Sequence, residues 1–264
     1  SISKSITIDG KGHTINADSK SRIFNIANGK SLTLKNINLI NGNATGNGGA
    51  IYGAGSVTVT NSSFTNNTAT QNGGAIYGTG IVTVKDSIFN HTTATTKNGG
   101  AIYSGNSVTI TNSNFTNTKA TGEQSCGGAL YGSNVNVTDS NFINTTSELH
   151  GGAIFSSHGV IVAGSNFNHT ATNRDGGAIY GAGSVTVTNS TFTNTTAGYS
   201  GGAIFGNGNN VTVKDSNFTN TTAKHYGGAI EIYSGILNVM DSNFINTTAE
   251  WDGGAILSRT GVTV

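Results

Sequence analysis

Residues 48–70 read GGAIYGAGSVTVTNSSFTNNTAT, and close variants of this stretch recur along the chain. Its opening motif, Gly-Gly-Ala-Ile with Leu once in place of Ile, occurs nine times at intervals of 24 to 28 residues. The copies begin at Gly48, Gly73, Gly99, Gly127, Gly151, Gly176, Gly201, Gly227 and Gly253. A fixed period of roughly 20–50 residues is the signature of a solenoid or another repeat array.

Within each unit, apolar and polar residues alternate with a period of two. The segments VTVT at 57–60 and SSFTN at 62–66 show this alternation, and Gly, Asn and Ser fill the turns between such segments. One unit cannot bury its apolar face alone, whereas stacked units pair each strand with its equivalents above and below. The sequence therefore predicts an all-β fold, a right-handed parallel β-helix (solenoid) of about ten coils with three short strands per coil.

No linker interrupts the repeat, so we predict a single domain covering residues 1–264. Residues 5–8 (SITI) and Leu39 fill the strand and Phe positions in a degenerate first part. Ser1 is not an initiator methionine, and both ends are strand-like runs without a polar cap. Because bare solenoid ends favour edge pairing, we expect either a fragment of a longer surface protein or end-to-end self-association.

The composition argues against several functional classes. The formal net charge is +1 and 9% of residues are charged, which gives no strongly charged surface for nucleic acid or an anionic membrane. Cys126 is the one cysteine, so an internal disulfide framework is excluded. No segment is apolar enough to cross a bilayer. We expect no nucleic-acid partner, no membrane span in this chain and no cofactor.

Positions that repeat unchanged are predicted to face the interior. They are the Ile of each Gly-Gly-Ala-Ile motif, the Val pair of the next strand, and the column Phe64, Phe89, Phe115, Phe142, Phe167, Phe192, Phe218 and Phe244. By alternation, the Ser two residues before each Phe and the Asn two residues after it also point inward, the Asn as a buried amide ladder. A glycan could not then reach the glycosylation motifs at Asn66, Asn144, Asn194 and Asn220.

Two sets of polar residues are candidates for catalysis or metal binding. His91 and His169 occupy positions of the Asn ladder three coils apart, roughly 14 Å at the strand spacing. That separation is too long for joint metal coordination and favours hydrogen-bonding rungs. Asp215 and Asp241 stand where other coils carry Asn, which indicates a turn role. We predict no catalytic residue and no metal site, and hence a protein that is not an enzyme.

The repeat at 48–70 resembles that of adhesin-like surface proteins of methanogenic archaea, and ITIDGKGHTINADSKSRIFNI at 6–26 looks like their first coils. More distantly, the chain is similar to the chlamydial polymorphic outer-membrane proteins, which share GGA[I/L/V] and FxxN motifs. Here Asn follows Phe by two residues, and only Asn67 follows by three. The resemblance covers essentially the whole chain. It implies an extracellular, cell-surface location and an adhesive or interaction role, and it carries no catalytic residues.

The coils differ most just before each Gly-Gly pair, and stacking predicts that these segments form one edge of the rod. We call this the variable edge: residues 71–72, 97–98, 123–126, 148–150, 173–175, 198–200, 224–226 and 250–252. Loops on a rigid scaffold are where recognition usually resides. The candidate ligand-binding residues, chosen for aromatic and charged character, are Arg174, Asp175, Tyr199, His225, Tyr226, Trp251 and Asp252. The expected partner is a protein or glycan surface ligand. Drift of unconstrained loops is the alternative.

A stripe of rings follows each conserved Ile: Tyr52, Tyr77, Tyr103, Tyr131, Phe155, Tyr180 and Phe205, broken by Glu231. Either these rings stack on each other or a partner covers them, and the stabilisation given by cross-strand aromatic pairs favours stacking.

Two functional classes stay open. One is an adhesin or binding stalk, and the other is a structural spacer or the subunit of an extracellular filament assembled through the solenoid ends.

Overall fold

The computed structural model describes residues 1–263, which form strands and no helix. Three parallel sheets wind the chain into a β-solenoid, and the second sheet has ten strands, one from each coil. This confirms the predicted parallel β-helix. Equivalent residues pair from coil to coil, as Val57 does with Val82 and Val82 with Val108. No helix long and apolar enough to cross a bilayer occurs within the described residues.

The first sheet contains the GGAI-derived strand and the Val-rich strand, which are separate in most coils and fused in two. Its strands are Ile6–Asp9, Phe24–Ile26, Leu32–Lys35, Ile51–Gly53, Val57–Thr60, Ile76–Gly78, Val82–Lys85, Ile102–Ser104, Ser107–Thr111, Leu130–Thr138, Ile154–Ala163, Ile179–Gly181, Val185–Thr188, Ile204–Asn207, Val211–Lys214, Ile230–Ser234, Leu237–Met240, Ile256–Ser258 and Val262–Thr263.

The other two sheets are built from shorter strands. The second sheet, which carries the Phe column, consists of Thr14–Asn16, Asn38–Ile40, Ser63–Thr65, Ile88–Asn90, Asn114–Thr116, Asn141–Ile143, Asn166–Asn168, Thr191–Thr193, Asn217–Thr219 and Asn243–Ile245. The third sheet consists of Asn43–Ala44, Thr68–Ala69, Thr93–Ala94, Lys119–Ala120, Thr146–Ser147, Ala171–Thr172, Thr196–Ala197, Thr222–Ala223 and Thr248–Ala249.

Each Gly-Gly pair forms a corner at which backbone packs on backbone. The first glycine has a positive φ, 64° at Gly151, which side-chain-bearing residues rarely adopt. The second glycine has no space for a side chain, because a Cβ at Gly152 would lie 2.1 Å from the carbonyl oxygen of Gly177 in the next coil. The first glycine is required on steric grounds as well, because a Cβ at Gly151 would lie 2.1 Å from the carbonyl oxygen of Ile154.

The interior contains the columns that the sequence predicts. Ile51, Val57, Val59 and Phe64 have no exposed surface, and neither do most of their equivalents. Successive Phe rings stack with centroids 4.6–5.0 Å apart. The Ser column is also buried and forms a ladder in which each backbone N–H donates to the hydroxyl of the next coil, as Ser62 does to Ser87 at 3.1 Å. The predicted burial of these columns is confirmed.

The predicted burial of the Asn ladder is wrong. Asn66, Asn144 and Asn220 are exposed and Asn194 is partly exposed. Asn66 has a φ of 55°, and its equivalents are also left-handed, so the period of two ends there. The side chain that points into the core is instead that of the following residue, three positions after Phe. The inward-facing residues are Asn67, Thr92, Thr118, Thr145, Thr170, Thr195 and Thr221, all with no exposed surface. The glycosylation motifs therefore lie on the surface.

The displaced Asn residues still form a ladder, on the outside of the rod. The Nδ2 of Asn144 donates to the Oδ1 of Asn117 at 3.2 Å. His91 and His169 are exposed rungs of this ladder, and the Nε2 of His91 lies 3.3 Å from the Nδ2 of Asn117. Asp215 and Asp241 have φ values of 50° and 48°, which agrees with their predicted turn role. No three His, Cys, Asp or Glu side chains in residues 1–263 are grouped as metal ligands would be.

The ring stripe outside the first sheet is a continuous stack. From Tyr52 to Phe205, successive centroids lie 4.8–5.2 Å apart with nearly parallel planes. Most of the rings are partly buried, whereas Tyr180 and Phe205 are each only 7% exposed. The predicted self-stacking is confirmed. The deeper burial of the last two rings shows that other side chains cover the stripe near its C-terminal end.

We expect Phe142→Ala to lower the free energy of unfolding by about 3–5 kcal/mol, because it truncates a fully buried ring in a continuous stack. Ile143→Ala is the matched control, since Ile143 lies in the same strand with its side chain facing solvent. It should cost about 0.5 kcal/mol or less. Urea denaturation followed by circular dichroism measures both values. Equal losses for the two variants would contradict the interior placement of the Phe column.

The tyrosine stack should make stability fall at alkaline pH. Burial raises the pKa of Tyr77, Tyr103 and Tyr131 above the ordinary value of about 10. The unfolded chain therefore ionises first, so this stabilisation is present below about pH 10 and is lost as pH rises through the folded-state pKa values.

The control is a triple Tyr77→Phe, Tyr103→Phe, Tyr131→Phe variant, which suits a column that already contains Phe155. Denaturation at pH 8.5 and pH 11 should show a larger loss of stability for the natural chain than for the variant. Identical losses would mean that these phenols titrate normally in the folded protein.

Candidate functional site

The variable edge exists as predicted, as a ladder of single residues stacked coil on coil. Parallel bridges connect the residues that precede each Gly-Gly pair, from Cys126 through His150, Asp175, Ser200, Tyr226 and Asp252. Further toward the N-terminus, side chains make the connection instead. The Oδ1 of Asn72 accepts from the backbone N–H of Asn98, and the Oδ1 of Asn98 accepts from that of Cys126 at 2.8 Å. The N-terminal half of the edge is thus tied together by amides.

Cys126 lies where the two halves of the edge meet. Its side chain is buried, and burial raises the pKa of the thiol to about 12. Because the thiolate is the reactive form, this cysteine is a poor nucleophile near neutral pH. Its role is that of a small buried side chain in the edge.

The C-terminal half of the edge contains two neighbouring groups of the predicted residues. Arg174, Asp175 and Tyr199 line a cleft of about 410 Å³. The complete lining is His150, Arg174, Asp175, Tyr180, Tyr199, Ser200, Phe205, Asn207, Glu231, Tyr233 and Arg259. A volume in this range is typical of small-molecule sites. The cleft therefore extends from the variable edge onto the end of the ring stack.

The second group is an aromatic cluster beside the cleft. The His225 ring stacks on Trp251 at 4.1 Å, and Tyr199 and Tyr226 meet His225 edge-on at 4.5 and 6.2 Å. Trp251 is 60% exposed, so the cluster offers a ring face to solvent. Asp252 is exposed on the next rung and pairs through its backbone with Tyr226. Six of the seven predicted residues therefore lie in these two groups.

The cleft forms where Glu231 takes a position in the ring stack. In the first sheet Glu231 pairs with Phe205 on one side and with Leu257 on the other. The strand is also irregular here, because Gly206 pairs with Ile232 and Asn207 with Ser234, leaving Tyr233 as an extra residue. Such bulges redirect side chains. Tyr233 accordingly projects outward with 56% of its surface exposed.

Two carboxylates are buried in the walls of the cleft, each beside an arginine. Glu231 is 1% exposed, and its Oε1 accepts hydrogen bonds from Nε and Nη2 of Arg259 at 3.2 and 3.0 Å. Asp175 is 7% exposed, and its Oδ2 lies 3.3 Å from Nδ1 of His150 and 3.8 Å from Nε of Arg174. The burial of Asp175 differs from the exposed loop position that its sequence context suggests.

One oxygen of each carboxylate, Oδ1 of Asp175 and Oε2 of Glu231, is buried without a hydrogen-bond partner in the protein. Burial lowers the pKa of Arg259, but the hydrogen bond and charge of Glu231 outweigh this effect, so the pKa lies above its ordinary value. Burial raises the pKa of Tyr180, whose hydroxyl accepts a hydrogen bond from Nδ2 of Asn207 at 2.9 Å. The cleft therefore combines two carboxylate–arginine pairs with a neutral phenol.

Sequence reasoning missed several of the lining residues. The sequence pattern places Tyr180 and Phe205 in the ring stack and shows Glu231 only as its interruption. It predicts no role for Asn207, Tyr233 or Arg259. Two features of the sequence could have indicated the cleft. Glu231 is a carboxylate in a column of rings, and Arg259 follows it one coil later, 28 residues along the chain.

The comparison with known families gives a short match. The profile of the Chlamydia polymorphic membrane protein repeat matches residues 61–79. This chain is similar to that repeat over part of one coil and the next Gly-Gly motif. The matched stretch contains Phe64 and Asn67, which reproduce the FxxN spacing, together with the GGAI motif at 73–76. No curated protein and no solved structure matches the chain.

The structure explains why this coil differs from the others. Asn67 is buried, and its Oδ1 accepts from the backbone N–H of Gly42 at 2.8 Å while its Nδ2 donates to the carbonyl of Leu39 at 3.0 Å. A Cβ at Gly42 would lie 2.6 Å from that Oδ1, so the glycine makes room for the amide. Later coils have Thr at this position, and the buried Thr hydroxyls have no partner. The FxxN spacing thus marks a buried amide that bonds the preceding coil, and within residues 1–263 Asn67 alone occupies this position as Asn.

We expect Arg259→Ala to destabilise the C-terminal coils by about 1–3 kcal/mol, because it leaves the buried Glu231 carboxylate without its donor. Adding Glu231→Gln to that variant should recover part of the loss, since a neutral amide is less costly to leave unpaired than a charge. Chemical denaturation of the two single variants and the double variant measures the coupling. Strictly additive losses would contradict an ion pair at this position.

Proposed function

We propose that this chain is a non-enzymatic cell-surface adhesin or binding stalk that presents the C-terminal half of its variable edge to a protein or glycan ligand. The observation that carries the proposal is the placement of the cleft and the aromatic cluster side by side on that half. The other stripes of the rod repeat with every coil and can offer only a periodic surface. The similarity to a repeat of a membrane protein family supports an extracellular, cell-surface location.

The chemistry of the cleft supports binding rather than catalysis. Paired-carboxylate hydrolysis needs one carboxylic acid held protonated and one carboxylate ionised, in contrasting environments. Here each carboxylate lies beside an arginine, so the two have similar rather than contrasting surroundings. The arrangement therefore lacks the contrast that acid–base catalysis requires.

The aromatic cluster should carry most of the contact energy. Tyr199→Ala, Tyr226→Ala and Trp251→Ala combined should reduce attachment of protein-coated beads to fibronectin, mucin and cultured-cell layers by about tenfold or more. The fold should survive, because these side chains lie outside the Phe and Ile columns. Bead counts after a fixed wash measure attachment, and circular dichroism checks the fold.

The matched control is Gln71→Ala, Lys97→Ala and Gln124→Ala combined, three exposed side chains on the N-terminal half of the same edge. It should attach as well as the natural chain. Undiminished attachment by the aromatic variant, or no attachment by the natural chain to any of the surfaces, would instead favour a structural spacer or filament subunit.

A further inference from the structure

We propose that the cleft between Asp175 and Glu231 binds one residue of a neutral carbohydrate. This inference rests on the proposed function, because it names the ligand class of the same edge. Its starting point is the pair of unpartnered carboxylate oxygens, Oδ1 of Asp175 and Oε2 of Glu231. The side chains of Asp175 and Glu231 are 10% and 1% exposed, and both residues line the cleft.

An unpartnered buried acceptor calls for a donor from a ligand. Leaving a buried carboxylate oxygen without a hydrogen bond is costly, and a hydrogen bond to a charged acceptor is stronger than one between neutral groups. Sugar hydroxyls are compact donors that also accept. Arg174 and Arg259 are partly exposed beside the two carboxylates. Binding would move these arginines aside to admit such a hydroxyl. The polar groups of the cleft therefore match a polyol.

The balance of charge selects a neutral ligand. Asp175 and Glu231 supply two negative charges, and Arg174 and Arg259 supply two positive charges within 3.8 Å of them. A cationic ligand that approached the carboxylates would also meet the arginines, and an anionic ligand that approached the arginines would meet the carboxylates. Each carboxylate already has its counter-ion and lacks only a hydrogen bond.

The apolar part of the lining fits the carbon–hydrogen faces of a pyranose. Tyr180 and Phe205 close the ring stack within the cleft, while Tyr199 and Tyr233 are 40% and 56% exposed at its lining. Rings combined with a few fixed polar groups are the usual make-up of a small-molecule site. The guanidinium of Arg259 lies 5.4 Å from the Tyr233 ring and 5.0 Å from the Tyr226 ring, so the cleft continues into the aromatic cluster. A second sugar residue has a surface to lie on there.

The test uses saturation-transfer-difference NMR on the full chain with methyl glycosides of glucose, galactose, mannose and N-acetylglucosamine at 20 mM. Glucuronate and glucosamine serve as anionic and cationic probes. Asp175→Asn and Glu231→Gln keep side-chain size while weakening one acceptor each. Each should weaken binding of the preferred neutral glycoside by at least about tenfold. Asp139→Asn is the matched control, because other coils carry Asn at this exposed turn position, and it should bind normally.

Binding of at least one neutral glycoside that is lost in both cleft variants and kept in the control supports the proposal. Three results overturn it: no neutral glycoside binds, a charged probe binds more tightly, or the cleft variants bind as well as the control. Release of nitrophenol from the matching 4-nitrophenyl glycoside would overturn the assignment as a binding site. If bead attachment depends on the aromatic cluster while no glycoside binds, this inference fails and the proposed function stands.

Discussion

The structure depends on the contact between backbones at the Gly-Gly corner. At Gly152 the next coil approaches so closely that no Cβ fits, and the preceding Gly151 has a left-handed conformation. A coil that turns so tightly can stack only on another coil that turns at the same place. The stacking of the corners therefore aligns the strands, which is why the Phe and Ser columns coincide coil after coil.

This constraint also explains what the sequence could and could not predict about the fold. The columns of Ile51, Val57 and Phe64 were predictable because motif repetition and a period of two both indicate the same inward positions. Asn66 was placed wrongly because alternation alone does not reveal a left-handed residue at the end of a strand. The repeated Asn at that position is itself the signal, since Asn adopts this conformation more readily than most residues.

The candidate site was predictable only in part. Stacking placed Arg174, Asp175 and Tyr199 on one edge, but the edge alone did not show that Asp175 is buried. The cleft depends on irregularities that interrupt the repeat, namely Glu231 in an aromatic column and the extra residue Tyr233. A prediction from the repeat gives equivalent positions of every coil the same environment, so it overlooks residues that differ from the repeat. Departures from the repeat are thus where function should be sought in this fold.

The stability of the fold does not explain why a glutamate occupies position 231. A tyrosine or phenylalanine at its position would continue the ring stack from Phe205, whereas a buried carboxylate loses hydration and recovers only part of it through Arg259. In a solenoid each coil contacts only its neighbours, so such a cost stays local and leaves the Phe column elsewhere intact. The scaffold can therefore hold a destabilising polar site on one edge while its repeated core supplies the rigidity that recognition needs.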